Sequence, residues 1–307
     1  MASYLVTGGC GFIGSHLADA LVEAGHSVRI LDDLSTGKRD NAPQGADVVV
    51  GDVGDLESVK GAMQDMDGCF HLAAIASVVR SNEDWLGTHR ANQTGAINVF
   101  ETARENGDRG PLPVVYVSSA AIYGDNQDVP LSENARPRPL TAYGADKLGC
   151  ELHARVAYEV HDVPTTGFRF FNIFGPRQDP ASPYSGVISI FADKIRAGTE
   201  LMIHGDGEQT RDFVYVRDAV RFLMKGMDRL PAEPDVFNVC RGTGTSINDL
   251  ADILSRIAGK SVERKHAEPR EGDIRVSVGD PSHAKTDLGI VVETEIEDGL
   301  RVTLDSL

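Results

Sequence analysis

Tyr143 and Lys147 have the residue types and the spacing that proton transfer requires. On a helix, side chains four positions apart lie on the same face, so the phenol and the ammonium group would be neighbours. A free phenol has a pKa of about 10 and is a poor base at neutral pH, but a nearby positive charge lowers that pKa and makes the phenolate available. Tyrosine and lysine also occur at this spacing on ordinary solvated helix faces, so the pair needs support from elsewhere in the chain.

That support comes from Ser119, which closes the segment Val117-Ser118-Ser119 at the end of a predicted strand. In parallel α/β sheets, ligands bind at the carboxyl ends of the strands. We therefore expect Ser119 to meet Tyr143 over a bound cofactor.

The elements that would position these residues alternate along the chain. Apolar segments predict strands at residues 3–7, 27–31, 46–50, 68–72, 114–118 and 165–170, and amphipathic segments predict helices at residues 12–24, from about 55, at 84–106 and at 142–160. Nearly all-apolar strands between helices favour a parallel sheet covered on both faces, which is an α/β, Rossmann-type doubly wound fold.

Residues 1–175 would form this dinucleotide-binding domain, with later segments returning to it. Residues 176–307 would form mainly a smaller C-terminal substrate-binding lobe, whose chain after Gly175 is rich in loop-forming residues. A late helix in that lobe would begin after the cap Ser246 and end at Gly259.

Gly8, Gly11 and Gly14 lie between the first predicted strand and the first predicted helix. The first glycine permits a tight turn, the second lets the backbone approach a pyrophosphate, and the third lets the helix pack closely on the strand. The helix start at Phe12 and Ile13 would direct N–H groups and the positive end of the helix dipole at the phosphates. The motif therefore predicts a dinucleotide cofactor.

Asp32 ends the second predicted strand. A carboxylate there can accept hydrogen bonds from both ribose hydroxyls and would repel a 2′-phosphate, which favours NAD over NADP. The basic residues Lys38 and Arg39 leave NADP as an alternative, and Asp32 or Asp33 could instead cap a loop. Asp52, after the third strand, is a candidate partner for the adenine amino group.

Five segments taken together resemble the extended short-chain dehydrogenase/reductase family, in particular its nucleotide-sugar epimerase group of the UDP-glucose/UDP-galactose 4-epimerase type. They are TGGCGFIG at residues 7–14, HLAA at 71–74, SSAAIYG at 118–124, YGADK at 143–147 and RFFNIFGPRQ at 169–178. The resemblance covers essentially the whole chain.

The resemblance implies a role for each catalytic candidate. Tyr143 would remove the proton from the sugar 4-hydroxyl, Lys147 would hold the nicotinamide ribose and tune Tyr143, and Ser119 would share a hydrogen bond with that hydroxyl. The hydride would pass from C4 to NAD and return to the other face of the resulting 4-keto sugar. The residues implied in NAD binding are Gly8, Gly11, Phe12, Ile13, Gly14, Asp32, Asp33, Ser35, Thr36, Gly37, Asp52, Val53, Leu72, Ala73, Ala74, Asn92, Ser118, Tyr143, Lys147 and Phe170.

Two alanines distinguish the reaction from others in this family. Dehydratases and decarboxylases carry an acidic residue directly after the catalytic serine or threonine, where this chain has Ala120 and Ala121. Simple epimerisation is therefore expected. A reductase with net redox chemistry and a non-enzymatic dinucleotide sensor are the alternatives, although a sensor would not need to keep the serine, tyrosine and lysine.

The resemblance also implies a site for the nucleotide sugar, with UDP expected and TDP left open. Arg211 and Arg270 would clamp the diphosphate, although each could instead pair with the acid that follows it. Asp273 would accept ribose hydroxyls. The substrate-binding residues implied are Ser119, Tyr143, Asn172, Val187, Ile188, Phe191, Met202, Ile203, Arg211, Arg270, Asp273 and Ser277.

Ser277 matches the family's gate beside the sugar 2-substituent, where a bulky aromatic residue excludes N-acetyl groups. The small serine predicts that UDP-N-acetylhexosamines are accepted as well as UDP-glucose and UDP-galactose. Arg177 lies near the loop that would contact a C6 carboxylate, so UDP-glucuronate is the alternative substrate. A homodimer formed by helices around residues 85–107 and 142–160 is expected by analogy with the family.

The composition limits partners and location. The 307 residues contain 46 acidic residues and 30 lysines and arginines, a formal net charge of −16 that disfavours nucleic acid and anionic membranes as partners. Apolar runs are too short to span a bilayer and no signal peptide is evident, so a cytoplasmic location is expected. The four cysteines, Cys10, Cys69, Cys150 and Cys240, lack metal-ligand spacing, so we expect buried reduced thiols and no metal.

Overall fold

The structure, a computed structural model, describes residues 1–105, 107–180, 186–229, 233–269 and 272–307. Its strands are β1 Ser3–Thr7, β2 Ser27–Asp32, β3 Asp47–Val50, β4 Gly68–His71, β5 Val114–Ser119, β6 Thr165–Phe170, β7 Asn172–Phe174, β8 Leu201–His204, β9 Thr210–Arg211, β10 Phe213–Tyr215, β11 Asp235–Val239, β12 Thr245–Ser246, β13 Arg264–Ala267 and β14 Val276–Ser277. Its α-helices are α1 Phe12–Glu23, α2 Leu56–Met63, α3 Val78–Glu83, α4 Trp85–His89, α5 Gly95–Arg104, α6 Ala142–His161, α7 Val187–Ala197, α8 Val216–Asp228, α9 Ile247–Ala258 and α10 Ile296–Asp305.

Seven strands form the main sheet in the order β11-β6-β5-β4-β1-β2-β3. The pairs from β3 to β5 are parallel, and the order from β3 to β6 is that of a doubly wound dinucleotide-binding sheet. The predicted fold is therefore confirmed. The late strand β11 joins the edge next to β6, which confirms that a segment of the second half returns to the sheet.

The chain divides into two compact units. Unit 1 contains residues Met1–Ile122, Pro139–Arg169 and Val220–Phe237, and unit 2 contains Tyr123–Arg138, Phe170–Ala219 and Asn238–Leu307. The core of unit 1 is an apolar cluster of sheet and helix side chains that includes the fully buried Leu5, Leu31, Val59 and Val99. Burying one such side chain stabilises a fold by roughly 1.5–3 kcal/mol.

The helix predicted at residues 84–106 is confirmed as a continuous helical segment from Trp85 to Arg104. Asp84 begins it, because its side chain accepts a hydrogen bond from Gly87 N and caps α4. The difference from the prediction lies inside the segment, where Arg90–Thr94 form a π-helical turn between α4 and α5. Asn92 and Gln93 of that turn are buried.

Unit 2 contains more regular structure than its loop-rich composition predicts. Helix α7 and strand β8 lie in this unit, and so does the first turn of α8, whose remainder from Val220 belongs to unit 1. The late helix was predicted correctly: Ser246 caps α9 by accepting from Asp249 N at 3.0 Å, and Gly259 ends it with φ +62°. The apolar residues of α7 and α8 have ordinary helical spacing. The glycines, prolines and aspartates around them favoured a prediction of loops instead.

Candidate active site

The β1–α1 turn is built by close backbone packing in unit 1. Gly8 has φ +70°, and a Cβ there would lie 2.8 Å from the backbone N and Cα of Ala73. A Cβ on Gly14 would overlap the carbonyl of Gly8, whereas one on Gly11 would meet only that carbonyl, at 3.2 Å. The three glycines therefore have the separate roles that the motif predicted: two permit packing, and Gly11 leaves its side of the turn open.

Helix α1 also lacks a side-chain cap at its N-terminus, where Gly11 is the N-cap. The helices α2, α6 and α9 are capped by the side chains of Asp55, Thr141 and Ser246. An uncapped helix start above an open glycine suits an external anion, because unpaired N–H groups and the helix dipole favour negative charge there. The turn thus fits the pyrophosphate of a dinucleotide.

The side chain of Asp32 is 7% exposed at the end of β2. Its Oδ2 accepts from Cys10 N and its Oδ1 from Leu34 N, both at 2.9 Å, and burial raises its pKa. Each carboxylate oxygen keeps a lone pair for a ribose hydroxyl. A Cβ on Gly37 would lie 2.8 Å from Asp32 Oδ1, so the loop of Ser35, Thr36 and Gly37 closes over this carboxylate.

The neighbouring acids of this region have other partners. Asp33 accepts from the backbone N and the hydroxyl of Ser35, so it caps its own loop. Asp52 accepts from Gly54 N at 2.7 Å and lies 3.6 Å from the Arg90 guanidinium. Asp32 is therefore the acid of this group that is both buried and held by backbone N–H groups on each oxygen.

Thr7 and His71 link the ends of β1 and β4, and sequence analysis missed both roles. Thr7 Oγ1 lies 2.8 Å from His71 Nδ1 and accepts from the backbone N of Leu72 and of Ala73, each at 3.2 Å. Since that oxygen already accepts twice, its O–H donates to Nδ1 and the proton of the imidazole is on Nε2. Burial and the charge of Lys147 lower the pKa of His71 to about 3, which keeps the ring neutral.

Asn92 holds the chain that follows β4. Its Oδ1 accepts from Ile75 N at 2.8 Å and its Nδ2 donates to Ile75 O at 3.2 Å. The π-helical turn places this side chain, so the segment of Leu72, Ala73 and Ala74 is fixed by Thr7 at one end and Asn92 at the other.

The catalytic candidates lie on β5 and α6 of unit 1. Ser119 ends β5, and its Oγ accepts from Ala121 N at 3.1 Å. Tyr143 is in the first turn of α6, which Thr141 caps, and Lys147 follows one turn later. Lys147 is 3% exposed, and its Nζ donates to Val117 O at 2.8 Å and lies 6.0 Å from the centre of the Tyr143 ring.

A close approach brings this helix to the strand. A Cβ on Gly144 would lie 2.7 Å from the carbonyl oxygen of Ala121, so the start of α6 packs on the backbone directly after Ser119. The structure therefore assembles the predicted serine, tyrosine and lysine at the carboxyl end of β5. A cation held beside a phenol is the arrangement that a tyrosine base requires.

In unit 2 the structure brings together three of the predicted substrate residues, Arg211, Asp273 and Ser277, and places a fourth, Asn172, on strand β7. Arg211 on β9 donates through Nη2 to Asp273 Oδ1 at 2.5 Å and through Nη1 to the carbonyl of Ile274 at 2.7 Å. Ser277 on β14 is opposite Arg211 in the parallel β9–β14 pairing. Asn172 on β7 donates through Nδ2 to the carbonyl of Asp212 at 3.2 Å.

The alternative pairing of Arg211 with Asp212 is wrong. Asp212 is fully buried and accepts from the backbone N of Arg241 and Gly242 at 2.7 and 2.9 Å and of Gly279 at 3.4 Å. Desolvation raises its pKa to about 6, although these donors oppose the shift. Arg270 and its alternative partner Glu271 lie outside the described residues.

The five apolar residues among the implied substrate-binding residues differ in accessibility. Ile188, Phe191 and Ile203 are at most 2% exposed and belong to the core of unit 2, whereas Met202 is 39% exposed and Val187 is partly buried. In this structure, Met202 and Val187 therefore have surface that a ligand could contact, and the other three residues have almost none.

The cysteines and the helices of the described residues bear on two further properties of the chain. Cys10, Cys69, Cys150 and Cys240 are all buried and unbonded to one another, which confirms the expected thiols. Among the described residues, none of the helices combines the length and the apolar character needed to cross a membrane.

Comparison with known proteins agrees with this site. The model of the NAD dependent epimerase/dehydratase family matches residues 4–240. The UDP-glucose 4-epimerase of Mycolicibacterium smegmatis is 34% identical over 98% of this chain and 97% of its own. More distant relatives include a UDP-N-acetyl-α-D-glucosaminuronate decarboxylase of Bacillus cytotoxicus and a UDP-glucuronate 4-epimerase of Arabidopsis thaliana.

Three solved structures are similar over 99% of this chain. UDP-glucose 4-epimerase of Thermotoga maritima with UDP-glucose has a TM-score of 0.94 at 35% identity, with 98% of that chain covered. UDP-N-acetylglucosamine 4-epimerase of Methanobrevibacter ruminantium with UDP-N-acetylmuramic acid has a TM-score of 0.93 at 34% identity, with 97% of that chain covered. UDP-glucose 4-epimerase of Thermus thermophilus with NAD has a TM-score of 0.90 at 33% identity, with 98% of that chain covered.

The resemblance expected from the five motifs is thus confirmed, and the predicted cofactor, NAD, is the cofactor of this family. With its glycine turn, its Asp32 carboxylate and its Ser119, Tyr143 and Lys147 group on a doubly wound sheet, the chain belongs to the NAD-dependent epimerase/dehydratase family.

Proposed function

We propose that the protein catalyses the NAD-dependent 4-epimerisation of a UDP-hexose, interconverting UDP-glucose and UDP-galactose and also UDP-N-acetylglucosamine and UDP-N-acetylgalactosamine. The observation that carries the proposal is the Lys147 ammonium group, held by Val117 O between the serine strand and the tyrosine helix. The 4-epimerases among the relatives support the same reaction.

Each of the three catalytic candidates of unit 1 has a defined task in this reaction. Tyr143 takes the proton of the sugar 4-hydroxyl, and Ser119 holds the same oxygen through its hydroxyl group. Lys147 contributes a fixed positive charge 6.0 Å from the centre of the Tyr143 ring. NAD, held by the glycine turn and Asp32, would supply a reversible hydride acceptor for C4, and return of the hydride to the opposite face would invert that carbon with no net redox change. Tyr143 then gives the proton back to the oxygen at C4.

The reaction stops at epimerisation because the residues after Ser119 bring no acid. Ala120 and Ala121 form a single turn of 3₁₀-helix with Ile122, and Ala121 N is used by Ser119 Oγ. Elimination across the ring needs a further acid or base, and these positions supply neither. This distinguishes the protein from dehydratases and decarboxylases of the family.

The polar group of unit 2 suits a nucleoside diphosphate. The guanidinium of Arg211 is fixed by Asp273 and by two backbone carbonyls, so it can receive phosphate oxygens without losing further side-chain freedom. The second oxygen of Asp273, Oδ2, accepts a long hydrogen bond from Gln209 Nε2 at 3.4 Å and keeps a further lone pair for a ribose hydroxyl. Ser277 lies beside this pair and leaves space for a 2-acetamido group, which motivates the extended substrate range.

UDP-glucuronate is the second candidate substrate. Arg177 adopts φ +67°, a left-handed conformation that costs a bulky residue energy, and strained residues of this kind cluster at ligand sites. A cation held there could pair with a C6 carboxylate. A 4-epimerase acting on UDP-glucuronate is also among the relatives.

A homodimer is part of the proposal. Trp85, Leu152 and Val160 are 61–67% exposed, and Ile97 and Val156 add further exposed apolar surface on α5 and α6. Apolar residues this exposed on neighbouring helices favour a partner surface. We propose that a second copy packs the same helices against them to form a four-helix bundle.

The test is turnover without added cofactor. Purified protein is incubated separately with UDP-galactose, UDP-N-acetylgalactosamine and UDP-glucuronate, and 4-epimers are resolved by chromatography, with Tyr143→Phe as the matched control. We expect conversion of the first two and none by the variant. Conversion of UDP-glucuronate alone would favour the second candidate, and a stable 4-keto-6-deoxy product would overturn epimerisation.

A further inference from the structure

A buried ion pair packs beside the catalytic helix and has no task in the mechanism above. Arg169 on β6 donates to Glu151 on α6 through Nε at 2.9 Å and through Nη2 at 2.7 Å, and both residues are less than 10% exposed. Such two-point bonds between charged groups are strong and directional. A pair of this kind rarely adds stability beyond that of an apolar replacement, so its position needs another explanation.

The pair reaches the catalytic strand through a third residue. Ser118 is fully buried and its hydroxyl donates to Glu151 Oε1 at 2.5 Å. Ser118 directly precedes Ser119, and Glu151 is one helical turn beyond Lys147. Successive turns of α6 are thus tied to successive residues of β5, Lys147 to Val117 and Glu151 to Ser118.

The charges of the pair cancel, and the two partners differ in what happens when one is removed. A guanidinium group does not lose its proton, so Arg169 without Glu151 would remain a buried cation. A carboxylate without its cation can instead become neutral by taking up a proton. Removal of Glu151 is therefore the change that leaves a net charge near the site.

We propose that Glu151 and Arg169 are a positioning pair that fixes Ser119 and Lys147 relative to each other and adds little net charge of its own, so that the Lys147 cation acts on Tyr143 without competition from the pair. This inference rests on the proposed function only in its choice of Tyr143 as the base.

Three other ionisable groups around Lys147 are uncharged near neutral pH. His71 on β4 is neutral, and burial raises the pKa of Cys150 on α6 to about 11 and that of Tyr116 on β5 well above its ordinary value. Asp146 on α6 is bound to His89 Nδ1 at 2.8 Å. A change in the titration of Tyr143 would therefore report the Glu151–Arg169 pair.

The decisive variant is Glu151→Gln, which removes one buried negative charge and so changes the net charge of the pair by one unit. Glu151 is eight residues beyond Tyr143, about 12 Å along the helix. At an effective dielectric constant of about 20, a unit charge at that distance moves the titration of the phenol by about one pH unit. We expect the acid limb of the pH profile of kcat/KM to move to lower pH by that amount. The double variant E151Q/R169Q should return the limb to its wild-type position.

The phenol can also be titrated without substrate, from the ultraviolet difference spectrum between each protein and its Tyr143→Phe derivative. The same downward shift is expected there. Glu297→Gln is the matched control, because Glu297 binds Arg256 with the same two-point geometry at 2.8 Å but the pair is exposed. It should move neither the limb nor the spectrum.

Glu151→Asp tests positioning separately, because it keeps the charge but shortens the side chain. We expect kcat to fall at least about tenfold with KM and the limb unmoved, since misplacement by about 1 Å is costly to catalysis. An unmoved limb in Glu151→Gln, a limb that the double variant does not restore, or full activity in Glu151→Asp would overturn the proposal. A wild-type protein inactive on every UDP-sugar but with the spectral shift would reject the proposed function and support the pair.

Discussion

Lys147 Nζ donates a 2.8 Å hydrogen bond to Val117 O, so the helix that carries Tyr143 is anchored to the strand that ends at Ser119. The lysine thus has two effects at once: its bond holds α6 on β5, and its charge lies beside the phenol. The two effects can be separated by substitution.

Tyr143→Phe removes the proton acceptor but leaves the lysine bond intact. We expect kcat to fall by roughly 10²–10⁴-fold, the usual contribution of a general base, while NAD remains bound. Lys147→Met should lose activity to at least the same extent and also release NAD. Activity is measured by chromatography of the epimers, and bound NAD is assayed after the protein is denatured. Retention of NAD by both variants would show that Lys147 has no part in holding the cofactor.

Ser277→Tyr should narrow the substrate range. A bulky ring beside Arg211 would occupy the space proposed for a 2-acetamido group but would leave a 2-hydroxyl unhindered. We expect kcat/KM to fall roughly 100-fold for UDP-N-acetylgalactosamine and only a few-fold for UDP-galactose. Ser277→Ala is the control and should keep both activities. Equal losses of kcat/KM on both substrates would show that Ser277 does not discriminate between the sugar 2-substituents.

The raised pKa of Asp212 leads us to expect that the stability of unit 2 depends on pH. Its folded-state pKa, raised to about 6 by burial, is above the unfolded value, so its contribution is present at low pH and is lost as the pH rises through about 6. The rise corresponds to about 3 kcal/mol in the free energy of unfolding. Urea unfolding at about pH 4 and about pH 7 should show this loss in the wild type and not in Asp212→Asn.

Asp206→Asn is the control for that experiment, because Asp206 is exposed and its hydrogen bond with Arg275 lowers its pKa. It should leave the Asp212 effect in place. If Asp212→Asn shows the same pH dependence as the wild type, the buried carboxylate is not its source.

The net charge of −16 predicts that salt stabilises the protein. Like charges on a compact chain repel one another, and added salt screens that repulsion over about 10 Å or less. We expect sodium chloride to raise Tm by at least roughly 1.5 °C, the change that corresponds to about 1 kcal/mol in a chain of 307 residues. A neutral solute at equal osmolality serves as the control, and a Tm that falls with salt would contradict the prediction.

The sequence predicts those parts of the site that depend on local spacing. The glycines of the β1–α1 turn, Asp32 at the end of β2, and the Tyr143–Lys147 pair each follow from a short motif beside a strand or helix. Their positions are set by the elements that carry them, and those elements have strong apolar patterns.

Long-range partners were not predictable in the same way. Arg169 and Glu151 are 18 residues apart and Thr7 and His71 are 64 apart, and nothing in their spacing indicates that they bind each other. The π-helical turn at Arg90–Thr94 was also not predicted, because the helical pattern of the sequence continues on both sides of it. Glu151 had one usable signal, its position one turn after Lys147.

The packing of Gly8 on Ala73 has a consequence for how this protein can change. Where a turn and a loop touch through backbone atoms alone, no side-chain substitution can adjust their geometry by small steps. Directed evolution of cofactor preference would therefore find few productive mutations at the pyrophosphate end. Selectable variation has to arise at the adenosine end, around Asp32 and the loop of Gly37, where side-chain atoms face the ligand site.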